Sequence, residues 1–126
     1  MEIQHPPVVQ TAAHIRETYG VEPEFLWAKT PNNAVFRHPD NKKWFAVLLM
    51  AIQKNKLGLA GEGSIDILDL KCPPQLVTSL QSDGRCLPGY HMNKEHWIGV
   101  PLDGRLPPEE LFTLISMSYD ITKAKR

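Results

Sequence analysis

Apolar positions recur at helical spacing near both ends of the chain and at strand spacing between them. Val8, Ala12, Ile15 and Tyr19 stand at i, i+4, i+7 and i+11, the apolar face of a helix. Pro6-Pro7 suits its first turn and Gly20 its end, so the spacing predicts a helix over about 7–19. Residues 24–29 and 34–38 then read as short strands, with Thr30-Pro31-Asn32-Asn33 as the turn between them. After a Pro39-Asp40-Asn41 turn, residues 42–53 are apolar on both faces through their middle, as in a central strand covered on at least part of each side. A fourth strand, 64–71, carries Asp66 and Asp69 at opposite parity, which leaves it no polar face and suggests a bulge.

Pro73-Pro74 opens a second helix, packed by Leu76, Val77 and Leu80 and ended by Gly84. In the strand that follows, Ile98, Val100 and Leu102 share a face with His96, while Trp97 points the other way. Pro101 lacks an N–H and favours an edge or a strand end. Pro107-Pro108-Glu109-Glu110 starts a last helix, packed by Leu111, Phe112, Leu114, Ile115 and Tyr119. The order is therefore α-β-β-β-β-α-β-α. Short turns force antiparallel pairing, so the expected fold is α+β, an antiparallel sheet of about five strands with helices on one face.

Length fits one domain over 1–126. The longest apolar run, 44–52, is far too short to span a membrane, and no signal-peptide pattern opens the chain, so a soluble cytoplasmic monomer is expected. Cys72 and Cys86 make neither a disulfide framework nor a Cys-x-x-Cys pair, and are expected reduced and packed as small hydrophobes.

Net charge is zero, which argues against a strong general nucleic-acid binder, but the charge is unevenly placed. Between residues 29 and 56, Lys29, Arg37, Lys42, Lys43, Lys54 and Lys56 face only Asp40, a local +5, whereas the first 28 residues sum to −3. A neutral chain can thus present one positive side.

Polar chemistry gathers at 88–100, Pro-Gly-Tyr-His-Met-Asn-Lys-Glu-His-Trp-Ile-Gly-Val, where a bend runs into a strand. His91 and His96 are five apart, the wrong spacing to share a helix face as metal ligands, and no zinc motif is met. No nucleophile elbow or phosphate loop is present, and Cys86 near His91 is weak evidence for a thiol nucleophile. No catalysis, metal or cofactor is expected. Nucleic-acid binding fits better: Arg37, Lys42, Lys43, Lys54, Lys56 and Lys94 could meet phosphates, and His91, Asn93 and Trp97 could meet bases. Two alternatives stay open. One is a small-ligand or protein-interaction pocket around His91, Asn93 and His96. The other is purely structural: Trp97 and Tyr90 packing, His96 buried, Asn93 capping the bend, and Arg37 paired with Asp66 or Asp69 across the sheet.

Tyr90-His91-Met92-Asn93-Lys94-x-His96-Trp97, with Leu102-Asp103-Gly104 and Ser118-Tyr119 after it, resembles the MmcQ/YjbR family of small bacterial proteins. Val35-Phe36-Arg37, Lys43-Trp44-Phe45-Ala46 and Leu70-Lys71-Cys72-x-Pro74 stand in that family's order. The resemblance implies a frataxin-related (CyaY-like) sandwich with a double-wing feature, and DNA as the partner. It implies no metal here, since the first helix lacks the clustered acids of frataxin-like iron binders and offers only Glu17.

Overall fold

The structure, a computed structural model, describes residues 6–124. Helix α1 (Pro6–Tyr19) leads to strand β1 (Ala34–Arg37), then β2 (Trp44–Gln53) and β3 (Ser64–Lys71). Helix α2 (Pro74–Ser82), the two-residue strand β4 (Leu87–Pro88), β5 (Trp97–Pro101) and helix α3 (Pro108–Thr122) complete the chain. The sheet is antiparallel throughout, in the order β1-β2-β3-β5-β4. This is the expected α+β fold, with five strands but not the five foreseen. Residues 24–29 are not a strand: only Glu24 pairs, by one bridge to Val35. Phe25 and Leu26 stay exposed, so that segment has no face to bury against the sheet. Strand β4 takes its place in the count. Pro101 is tolerated because β4 reaches only Ile98 and Gly99, leaving the outer side of β5 unpaired at its end.

Turns follow the local chemistry. Gly20 closes α1 at φ 69° with its N–H on the Arg16 carbonyl. Asn33 N–H closes the Thr30 turn at 3.0 Å. A 3₁₀ turn, Lys54–Leu57, links β2 toward β3.

Strict alternation on β3 sorts its side chains to two faces. Leu68 and Leu70 join Phe36, Leu48, Ile98 and Val100 under the three helices in the main core. Ile65 and Ile67 join Val35, Val47, Leu49 and Trp97 in a second cluster on the opposite face, covered by loops rather than helices. The bulge foreseen on β3 lies instead on its neighbour. Pairing slips between Leu49 and Ile52 of β2, and Ala51 there adopts φ 55°. The N–H groups freed by the slip are met by side chains: Met50 N–H by Asn33 Oδ1 at 2.7 Å, and Ala51 N–H by Asp66 Oδ1 at 2.9 Å. Asp66 is thus buried because it completes its partner strand.

Among the described residues the buried histidine is His38, just past β1, and not His96, which is half-exposed. Thr122 Oγ1 donates to the Ser118 carbonyl, so His38 Nε2–H donates to Thr122 at 2.9 Å. Burial lowers the His38 pKa, keeping the ring neutral. Its ring packs on Phe45 and Tyr119, fixing the 39–43 turn against α3. Asn41 adds a second tie, from Nδ2 to the Thr122 carbonyl at 3.0 Å.

Candidate binding groove

Because none of the three α-helices described covers the second face, a groove of 640 Å³ opens along β2. Its floor is Val47, Leu49 and Ile52 with the bulged Met50-Ala51. One wall comes from the β1 side, where Trp27 follows the Glu24 bridge and meets Trp44 edge to face at 6.0 Å between centroids. The other comes from the β3 side and is made of Tyr90, His91 and Met92. Lys56 lies at the end of the groove beyond β2.

The second wall is seated on a buried acid. Asp69, fully buried on β3, accepts the Tyr90 N–H at 3.2 Å through Oδ1, while its Oδ2 has no partner among the described residues. Desolvation raises its pKa to about 8, outweighing the Tyr90 hydrogen bond and the charge of Lys94. Gly89 is required beneath the wall: a Cβ there would lie 2.7 Å from the Trp97 Cβ. Lys94 folds back on its own bend, its Nζ donating to the Gly89 carbonyl at 2.7 Å and the Met92 carbonyl at 3.2 Å. His91 stands at φ 64° with its ring 4.0 Å from that of Tyr90, exposed to solvent.

The residues assigned to nucleic acid from the sequence separate into three groups. Lys42 and Lys43 are exposed just before β2, and Lys54 and Lys56 follow it, so the two pairs sit about 30 Å apart at opposite ends of one strand. No carboxylate lies within ion-pair distance of these four among the described residues. His91 shares the groove with Lys56. The rest are engaged elsewhere. Arg37 pairs with Glu24, not Asp66 or Asp69, through Nε at 2.9 Å and Nη2 at 2.7 Å, and this fork leaves it unsuited to a phosphate. Trp97 is only 8% exposed, with Lys71 Nζ 5.5 Å from its ring centroid, so it packs and cannot stack on a base. Asn93 caps the bend by accepting the Glu95 N–H. The groove takes in His91, while neither Asn93 nor His96 is in its lining.

Sequence reasoning missed Trp27 and Trp44 as site residues. They are seventeen positions apart, and only the β1–β2 pairing and the loop before it join them.

Both cysteines are buried and free. Burial raises each thiol, Cys86 to about 12, so neither is a ready nucleophile. Among the described residues no three His, Cys, Asp or Glu side chains converge on a common point, and no helix is long and apolar enough to cross a membrane.

Comparison with known proteins places this architecture. The Bacillus subtilis (strain 168) protein YyaQ is 48% identical over 110 residues, 87% of this chain and 92% of its own length. The crystal structure of a Pseudomonas syringae protein superposes with a TM-score of 0.87 at 42% identity, over 98% of this chain and all of that one. A Deinococcus radiodurans protein is similar at a TM-score of 0.71 and 25% identity, over 98% of this chain and 84% of that one. The YjbR family model matches residues 16–121, and the chain belongs to the YjbR family.

Proposed function

We propose that the protein is a non-catalytic nucleic-acid-binding protein that engages DNA with the face carrying the groove. The observation that carries this reading is an aromatic-walled groove with Lys56 in its lining, on a strand flanked by Lys42 and Lys43 before it and Lys54 after it, none of the four with a carboxylate partner among the described residues. Lysines meet phosphates and release counterions, and aromatic rings meet bases. The family resemblance supports the same partner.

Fluorescence anisotropy with a mixed-sequence DNA tests it. Binding in the micromolar range at low salt is expected, with a salt slope of about −3.6 if each lysine meets one phosphate at roughly −0.9 apiece. Changing Lys42, Lys43, Lys54 and Lys56 together to Ala should bring that slope close to zero. No binding at tens of micromolar, or binding indifferent to those four changes, removes the proposal.

The size of the groove, 640 Å³, favours a second reading, a small flat ligand without nucleic acid, since such sites measure roughly 300–1,000 Å³. Thermal stabilisation by small aromatic anions but not by DNA would select it.

A further inference from the structure

We infer that the groove takes unpaired bases of a single strand rather than duplex DNA, an inference that rests on the nucleic-acid reading above. Shape is the first reason. A duplex is read by a convex element, a helix or a two-stranded ribbon, inserted into its groove. The face here is concave, with walls rising from the β1 and β3 sides over an apolar floor. An unpaired base is a flat apolar ring that can enter such a space, whereas a paired base keeps its faces inside the stack.

The available cations agree. Bidentate arginine is the commonest reader of a guanine edge in duplex DNA. Every described arginine faces a carboxylate: Arg37 faces Glu24, Arg85 faces Asp83 and Glu110, Arg105 faces Asp103, and Arg16 faces Glu22 at 3.9 Å. What lines the groove is one lysine, Lys56, which meets phosphate as a point charge without reading sequence.

Ring placement is the third reason. Trp27, Trp44 and Tyr90 are half-exposed and His91 is exposed, in contrast to Trp97. The two N–H groups at the bulged floor are already taken by Asn33 and Asp66. Affinity should therefore come from stacking, with little sequence preference.

Anisotropy with a labelled twelve-nucleotide oligo-dT and a twelve-base-pair duplex, read alongside intrinsic tryptophan fluorescence, tests the inference. The single strand should bind at least about 10-fold more tightly and quench part of the tryptophan emission. Trp44→Ala should weaken the single strand by about 5- to 150-fold, from roughly 1–3 kcal/mol per stacked base, and leave duplex binding nearly unchanged. If Trp44→Ala does not fold, the wild-type quench and the Trp27→Ala protein carry the same comparison. Equal or tighter duplex binding, or single-strand binding without quenching, overturns this inference and leaves the nucleic-acid reading standing. Binding of neither DNA overturns both.

Discussion

The natural protein is expected to lose stability between about pH 6.5 and 8.5, and the Asp69→Asn protein to lack that fall. Asp69 is fully buried, has one hydrogen bond and one bare oxygen, and holds its proton up to about pH 8 against an ordinary 3.8. Between those values the folded protein binds a proton that the unfolded chain has released, so stability is greatest below the unfolded value and falls as pH rises to the folded one. His38 and His14 act in the opposite sense, since burial lowers both and their contribution grows with pH up to about 6.5. Above that point Asp69 stands apart from them. The remaining stretch of roughly 1.5 pH units corresponds to about 2 kcal/mol, at 1.36 kcal/mol per unit. Urea unfolding at pH 6.5, 7.5 and 8.5 measures it. Equal slopes for the two proteins would show that the carboxyl is not held neutral.

Ser118→Ala is expected to destabilise the protein by about 3 kcal/mol. The Ser118 hydroxyl reaches from α3 into the sheet, where the β2–β3 ladder ends at Ala46 and Leu70. It accepts the Lys71 N–H at 2.8 Å and donates to the Phe45 carbonyl, so one hydroxyl completes two backbone groups. Alanine leaves both unsatisfied where Ser118 is fully buried, at roughly 1–3 kcal/mol for each group. Ser79→Ala, which removes an exposed hydroxyl on α2, should change stability by no more than about 0.5 kcal/mol. A similar small loss for Ser118→Ala would mean that water or a shift of α3 replaces the bridge.

Much of the fold was legible because local patterns and tertiary demands agree in it. Residues 64–71 are rich in Ile and Leu and follow a glycine-containing turn, and β3 occupies that span. Proline and glycine punctuation placed all three helices to within a residue or two at their starts. Residues 24–29 misled because β-prone side chains say nothing about whether a neighbour will cover them, and Phe25 remains 60% exposed. Asp66 and Asp69 at opposite parity did signal an irregularity, but its place on β2 depended on which strand lay beside them.

The site was less legible for the same reason. Charge spacing found the lysines at the two ends of β2, yet it could not show that Arg37 is paired with Glu24, thirteen residues away. Nor could the bend show that Trp97 turns inward while Tyr90 and His91 face the groove. The rings that form the first wall, Trp27 and Trp44, lie outside the polar stretch altogether. A site built across strands leaves no contiguous motif.

Titrating isotopically labelled protein with oligo-dT and following its amide and indole N–H resonances tests the groove most directly. The largest shifts should fall on the indoles of Trp27 and Trp44 and on the amides of Tyr90, His91 and Lys56, with Trp97 and helix α3 little changed. Shifts confined to the helix-covered face, or none at saturating oligonucleotide, would contradict a nucleic-acid site on the open face of the sheet.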